Sequence, residues 1–565
     1  MPRSPLTAKT MIPFDAAHRA VYYPPDRRFH LWIRPWVFCL GSAVILIPFL
    51  AAWVQYVILG LPYIPPVLQY TGILPVPHGF PLWVRYCHFF NFFFLTMLIR
   101  SGLSILVDHP RLYFNNHCTP GSEWIKFTPL AVPTDRMWTA KDDDRYISPI
   151  VATPGYRHTV GIARCWHFLN VHGFILTGVL FIVMLFDTAQ WKRLVPRSPH
   201  LLVQAWSVWV HYATFHLPPE PNGFFAYNAL QQLAYFAVVF VLGPLAILSG
   251  IAMSPAVVNR FPWYARLFGG RQSGRSIHFL VMLSFAAFIV VHVTLVAITG
   301  FARNMNHIVL GTDGQGRLGM ILGFIGIGIV VLYWVVAHYI SWFQPRALQY
   351  AQKLITYPLQ LATLDRLRPS EHYTEKDISP HFWPNGKLPV REDWKQLAQD
   401  GFRNYTLAVG GEVERPVKLS LAELQELGTV EQITMHHCIQ GWTGIAKWGG
   451  VPMRNLIDLV RLKPTAKVVA FFSFGPGPFG EGIYYDTQRI EDVLKPECLL
   501  AFSMNGASLP LAYGAPLRLR VGNQLGYKMV KWIERIEFIE SEKQVGLGKG
   551  GKNEDDEYFD LLPNI

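Results

Sequence analysis

His278 and His292 lie fourteen positions apart in the apolar stretch 276–300. At ~100° per residue that spacing brings both imidazoles to nearly one helix face, about 21 Å apart along the axis. A run of that length can cross a bilayer, where an ionisable side chain is expensive and is kept for function. Two imidazoles stacked through a membrane suit two b-type haems with histidine axial ligands. The second chemistry-bearing group is Cys438, in the string ITMHHCIQGWTGIAKWGGVPM. It follows a β-like run and two histidines, His436 and His437, and glycines at 441, 444, 449 and 450 let the backbone approach something bulky. A thiol so placed is open to three readings: a nucleophile activated by a base, a ligand for a soft metal, or a small buried hydrophobe. His436 and His437 are open between substrate hydrogen bonding or proton transfer and a structural role.

The elements that must position these residues fall into two units. Apolar residues make up 51% of the chain and aromatics 14%. Six runs are long and apolar enough to span a membrane: 33–59, 84–107, 165–187, 229–252, 276–300 and 319–343. Beyond 343 the chain reads as an ordinary mixed domain. The net charge of +12 comes mainly from loops between spans, with no basic and aromatic interleaving that would suit nucleic acid. Six spans put both termini on one side. That side receives loops 108–164 and 253–275, with seven and four Lys or Arg, and Arg3, Lys9, Arg19, Arg27, Arg28 and Arg34. The other side has Arg85, Lys192, Arg193, Arg197, Arg303 and Arg317. Positive-inside bias then places the termini and the soluble domain in the cytoplasm. No cleaved leader is expected, because the first span is too long and lacks a small-residue cleavage site; Arg27-Arg28 only loosely resembles a twin-arginine signal. The cysteines 39, 87, 118, 165, 438 and 498 form no CxxC or CxxCH, which argues against iron–sulfur clusters, c-type haem and a disulfide framework.

Alternating span directions sort the histidines by depth. His88, near the start of the second span, meets His292 at the face away from the soluble domain. His167 and His278 open the third and fifth spans at the near face. Each pair suits one haem. His172 rivals His167, since only one of the two can face the bundle. His338 has no evident partner and reads as a packing or quinone-site residue. His211 and His216 read as interfacial, and Arg100 is open between snorkelling and a haem propionate.

The strings RYCHFFNFFFLTMLIRSG, CWHFLNVHGFILTGVLF, YNALQQLAYFAVVFVLGPLAILSGIAMSP and RSIHFLVMLSFAAFIVVHVTLVAITG resemble the four core helices of bacterial cytochrome b561-type proteins. The likeness is to the cytochrome b subunits of thiosulfate reductase and formate dehydrogenase, over residues 84–310. It implies two b haems on His88, His167, His278 and His292, and electron exchange with a quinone. This chain adds a span at each end. Family analogy would put the soluble domain in the periplasm, against the charge count.

The Cys438 segment, with FWPNGKLPV before it and MNGASLPLAYGAPLRLRVGNQLGYKMVKWIERIEFIE after it, resembles the molybdopterin-binding domain of the sulfite oxidase family over residues 378–541. The resemblance implies that Cys438 ligates molybdenum on a pyranopterin dithiolene and that Arg518, Lys528 and Lys531 hold the pterin phosphate. Asn385 matches a polar residue near the cofactor, and Tyr513 stands where sulfite oxidases tend to have histidine. Sulfite oxidases proper gather arginines around the metal. Here His437 and Ile439 flank Cys438, and the CxxGW pattern is closer to the bacterial branch containing methionine sulfoxide reductase. There the catalytic subunit works with a separate haem-bearing membrane partner.

The sequence therefore leads to an α-helical six-span bundle followed by an α+β, mixed-sheet molybdopterin domain. The expected divisions are 1–32, an N-terminal segment; 33–343, the dihaem cytochrome; 344–377, a linker; 378–541, the molybdopterin domain; and 542–565, a polar acidic tail, disordered or a docking arm. The expected protein is a multi-pass enzyme of the bacterial inner membrane. It would exchange electrons between a small oxo substrate at molybdenum and a quinone through two b haems, in contact with lipid, its homo-oligomeric state left open. A sulfite-type dehydrogenase reducing quinone and a non-enzymatic cytochrome with a degenerate docking domain are the alternatives.

Overall fold

The computed structural model describes residues 28–64, 78–129, 131–132, 139–145, 147–148, 151, 159–219, 222–364, 367, 370–477, 482–556 and 563–565. Most of the expected N-terminal segment lies outside them. Six helices are long and apolar enough to cross a membrane: Pro35–Leu59, Leu82–Asp108, Val160–Asp187, Ala229–Met253, Arg271–Ile298 and Leu318–Phe343. Leu46, Ile47, Val57, Ile58, Val290 and Leu332 are among many exposed apolar side chains on them, as lipid-facing positions require.

The third and fifth spans begin five residues earlier than hydropathy suggests, because hydropathy marks the lipid depth and the helices run on past it. Thr159 caps the third, its hydroxyl accepting from the Ile162 amide at 3.3 Å. The fifth opens with Arg271, Gln272, Ser273, Gly274 and Ser276, all buried under the soluble domain. In the fourth span Pro244 can neither donate an amide nor tolerate the carbonyl four residues back, and the preceding segment Ala237–Leu242 widens to a π-helix. The helix Pro345–Thr363 packs back along the third span, so much of the expected linker is part of the bundle.

Three two-residue strands, β1 (Trp32–Ile33), β2 (Arg111–Leu112) and β3 (Ile125–Lys126), form a small sheet over the ends of the spans, in the order β1-β3-β2. The soluble domain adds β4 (Thr406–Gly411), β5 (Val417–Ser420), β6 (Val430–His437), β7 (Thr443–Pro452), β8 (Val468–Pro476), β9 (Ile483–Arg489), β10 (Cys498–Met504), β11 (Ala507–Ser508), β12 (Arg518–Val521) and β13 (Ile533–Ile539). One sheet runs β11-β10-β7-β6, with β12 also pairing with β10; the other runs β5-β4-β13-β8-β9. Only β13 with β4 is parallel, which makes the second sheet mixed. The main core, including Val409, Val451, Phe471, Leu500, Leu519, Ile536 and Phe538, draws on both sheets.

The C-terminal stretch is not a free arm where it is described. The Asn553 amide donates to the Tyr484 hydroxyl at 2.8 Å, and Tyr485 hydrogen-bonds Asp555. The Ile565 amide reaches the Asn523 carbonyl at 2.9 Å, and the Ile565 side chain is buried. The charged composition reads as solvated, but two of its acids are held inside the fold, one by a buried lysine and one by a tyrosine hydroxyl. Lys528 pairs with Asp486 and, at 3.0 Å, with Glu554, while Asp555 is bound by Tyr485.

Candidate redox site

Two histidine pairs form within the bundle. His88 and His292 have ring centroids 6.3 Å apart, and His167 and His278 6.2 Å. Two imidazoles bonded to one metal through ~2.0 Å bonds from opposite sides bring their centroids to about 6 Å, so each gap fits a single iron. In the near pair both Nδ1 atoms are held by serines on neighbouring spans, His167 by Ser101 Oγ and His278 by Ser249 Oγ, each at 3.0 Å. The serines in turn donate to their own helices, to Met97 O at 2.7 Å and Leu245 O at 2.6 Å. They are therefore acceptors toward the rings, which fixes the proton on Nδ1 and leaves Nε2 for a metal. The two halves are alike in sequence: Ser101-Gly102 and RCWHFL at 164–169 correspond to Ser249-Gly250 and RSIHFL at 275–280. Each glycine lies against its histidine ring: a Cβ on Gly102 or Gly250 would make an ordinary contact, 3.8 or 3.6 Å, with His167 or His278. The remaining histidines are used differently. His172 Nδ1 bonds to Phe168 O of its own helix at 2.5 Å, His211 to Ser207 O at 2.9 Å, and His216 to the Tyr56 hydroxyl at 3.5 Å. Arg100 is buried and donates to Trp334 O at 3.3 Å.

Cys438 opens the turn between β6 and β7, whose last pair is His437 with Thr443. The turn is tied by Cys438 N to Trp442 O and Gly441 N to Cys438 O, and Gly441 takes a φ of 107°, open to glycine and strained for other residues. The sulfur is buried, 3.7 Å from Asn385 Nδ2 and 3.7 Å from Gln440 Oε1. Burial pushes the thiol up to about 12. A metal at sulfur would reverse that, because coordination deprotonates a thiol outright. Among the described residues no three His, Cys, Asp or Glu converge as a metal site, so a metal here needs ligands that a cofactor brings.

Beside the cysteine lie two buried cations, Arg518 and Arg520, and the half-buried Lys531, none with a carboxylate among the described residues. Arg518 and Arg520 share one face of β12 and both lie over Trp448, at 4.7 and 4.5 Å from its ring. Arg518 donates to Tyr513 O at 2.9 Å, Arg520 to His436 Nδ1 at 2.9 Å, and Lys531 to the carbonyls of Asn385 and Ala512. Burial pushes Arg518 down to about 9, and burial with Arg518 nearby drives Arg520 and Lys531 well below their ordinary values. Arg518 Nε, Arg520 Nε and Trp448 Nε1 have no hydrogen-bond partner among the described residues. Buried charge of one sign with idle donors fits an anionic group such as a pterin phosphate. Lys528 does not join them, being held between Asp486 and Glu554. Tyr513 does: its hydroxyl donates to Phe382 O at 2.6 Å and its ring packs on Phe382. His437 Nε2 bonds to Asn259 Oδ1 of the membrane unit at 3.1 Å, and its Nδ1 has no partner among the described residues.

Sequence reasoning missed Arg520, although RLRV at 518–521 puts it on the same strand face as Arg518. It also missed the membrane unit's share of the site, for which no local signal exists. Gly441 O accepts from Arg271 Nη1 at 3.0 Å and Gln272 Nε2 at 2.9 Å, and Gln272 also donates to Thr443 Oγ1 at 3.1 Å. His278 lies seven residues further along that helix, about 10 Å by rise. The loop after the second span covers the turn: Trp383 Nε1 donates to Cys118 O at 2.7 Å, Thr443 Oγ1 to Asn116 O at 2.7 Å, and Ala140 N to Pro384 O at 2.8 Å.

A histidine-paired bundle continuous with a cysteine turn and an anion-ready pocket defines a class, a membrane redox protein with an attached cofactor domain. Residues 79–309 match the family model of prokaryotic cytochrome b561, and residues 394–546 that of the oxidoreductase molybdopterin-binding domain. The chain thus joins a b-type cytochrome domain to a molybdopterin-binding oxidoreductase domain in one integral membrane protein. Among similar proteins, a protein-methionine-sulfoxide reductase subunit named YedZ1 from Azospira oryzae is 35% identical over 24% of this chain and 48% of its own. The protein-methionine-sulfoxide reductase catalytic subunit MsrP of Xanthomonas axonopodis is 38% identical over 24% of this chain and 45% of its own. MsrP of Campylobacter jejuni is 28% identical over 30% and 61%. The chain spans about half the length of the first two relatives.

Proposed function

We propose that the chain is a self-contained, quinol-linked molybdenum reductase acting on a sulfur oxo compound, with Cys438 as the molybdenum ligand and two b haems on the pairs His88–His292 and His167–His278. The observation that carries the reading is the joint between the units: the Cys438 turn hangs by Gly441 O from the helix that bears His278. A molybdenum dithiolene, when bound, supplies two-electron oxygen-atom chemistry. The residues of this chain hold and tune it. Cys438 would supply the thiolate, Asn385 a donor beside the sulfur, and Arg518, Arg520 and Lys531 the counter-charge for the phosphate. The near haem would sit between His167 and His278 and the far one between His88 and His292, closer to a quinone at the opposite face.

In the reductive direction a sulfoxide S–O bond breaks and the oxygen leaves as water with two protons. The two electrons come from a quinol, which becomes quinone and releases two protons. Fusion keeps donor and acceptor domains at high effective concentration. The sulfoxide is favoured by the names of the relatives, while a sulfite-type donor running electrons the other way is the alternative. The charge distribution supports a cytoplasmic soluble domain in a bacterial inner membrane. The test is anaerobic: quinol-reduced protein given a sulfoxide should reoxidise its haems with formation of the sulfide. Haems reoxidised by quinone after sulfite addition, with no response to sulfoxide, would reverse the direction.

A further inference from the structure

We infer that the membrane unit supplies one wall of the substrate pocket, and that His109 and Tyr113, on the loop leaving the second span, present hydrogen-bond donors to the oxygen of a small, uncharged sulfoxide. The inference deepens the functional reading above and rests on it.

Both side chains are fully buried, and His109 Nδ1, His109 Nε2 and the Tyr113 hydroxyl have no hydrogen-bond partner among the described residues. Three idle polar atoms in a buried loop are costly unless something occupies the space they face. The loop converges on Cys438 from two directions. Asp108 O, adjacent to His109, accepts from Gln440 Nε2 at 3.3 Å, and Gln440 Oε1 lies 3.7 Å from the Cys438 sulfur. The His109 ring meets Trp383 edge-on at 4.9 Å and stacks on Tyr113 at 6.0 Å; Trp383 stands two residues before Asn385, whose amide faces that sulfur. Tyr113, Trp383, Trp442 and Cys438 belong to one buried cluster.

The wall is rigid. Arg275 donates to the carbonyls of His109 at 2.7 Å and Arg111 at 2.8 Å, from the helix that also carries His278. Arg111, between His109 and Tyr113, is committed to Glu123 at 2.5 Å and Asp143 at 2.6 Å. Burial first, then Arg275 and Arg111, keeps the His109 ring neutral. His109 and Tyr113 therefore offer neutral donors to the polarised oxygen of a sulfoxide, while the neighbouring Arg275 guanidinium is held by the carbonyls of His109 and Arg111. The roof is bonded to the soluble domain on both sides, Ala140 N to Pro384 O and His117 Nδ1 to Ser379 Oγ at 3.0 Å. A site roofed in this way suits a free small molecule rather than a residue embedded in a folded protein.

The test uses the full-length holoenzyme with a reduced quinol analogue as donor, and compares free methionine sulfoxide with a methionine-oxidised folded protein. Wild type should reduce the free compound and leave the protein untouched. Tyr113→Phe, which removes only an idle hydroxyl, should raise KM for the free sulfoxide about tenfold, the loss of one hydrogen bond, with molybdenum and haem content unchanged. His109→Gln should do the same and also abolish the change that added sulfoxide makes in the Mo(V) paramagnetic resonance signal. Variants with normal KM and signal, variants that lose molybdenum and so act on the cofactor, or equal turnover of the oxidised protein would each overturn the inference. Wild type that holds molybdenum but reduces no sulfoxide would sink the functional reading itself, and this one with it.

Discussion

At the scale of single residues, the site is organised by charge left without an opposite. Arg518 and Arg520 are buried and Lys531 half-buried, with carbonyl, imidazole and aromatic partners but no carboxylate among the described residues. Arg518→Met should therefore move two observables in opposite directions. Molybdenum content should fall, because a phosphate partner is gone. The cofactor-free protein should unfold at higher denaturant, by on the order of 1–3 kcal/mol, because an uncompensated buried charge has been removed. A loss of both would mean that the arginine serves the fold alone. At the near histidine pair, Ser249 accepts from His278 Nδ1 and makes the ring a stronger electron donor. Ser249→Ala should raise the midpoint potential of that haem in a redox titration, while Ser284→Ala, an exposed serine of the helix that carries His278, should leave it unmoved. Much of this scale is legible in the sequence, since His278 and His292 announce themselves by spacing and Cys438 by its glycine-rich turn. The pairing of Lys528 was not legible: a lysine near a cofactor motif looks available until Asp486 and Glu554, 42 residues before and 26 after, close on it.

At the scale of elements, the fifth span does two jobs. Its first turn grips the cysteine turn through Arg271 and Gln272, and its third carries His278. Gln272→Leu removes two donors to the turn without touching a proposed ligand. Haem and molybdenum should stay at wild-type levels, while the haem-to-molybdenum electron transfer rate, followed by stopped-flow reoxidation, should drop several-fold. An unchanged rate would make the contact merely adhesive. Hydropathy located this helix but stopped at 276, because the turns that matter for coupling are polar and buried by the other domain. The covering loop was invisible in the same way: Asn116, Cys118 and Ala140 acquire meaning only when Thr443, Trp383 and Pro384 are brought to them from 244 or more positions away.

At the scale of the whole molecule, two units that pattern clearly in sequence, one periodic and apolar, one rich in strands, are interlocked at the redox site. The boundary at 343 is real for composition and blurred in space, since Pro345–Thr363 returns to the bundle and Asn259 reaches His437. The proposed cytoplasmic placement of the soluble domain rests on charge bias alone. A single cysteine introduced at exposed Gly506 in a Cys39→Ser background should then resist a membrane-impermeant thiol reagent in intact cells and react in inverted vesicles; labelling in intact cells would place the domain outside.

The central claim is that one chain carries electrons from quinol through two haems to molybdenum at Cys438. The most direct measurement is molybdenum and haem b per chain in detergent-purified protein, beside Cys438→Ala, with anaerobic reoxidation of the quinol-reduced haems by free sulfoxide. The account predicts one molybdenum and two haems, reoxidation in wild type, and a variant that keeps both haems but cannot pass their electrons on. Two haems without molybdenum, in a host that makes the cofactor, or equal reoxidation in the variant, would contradict it.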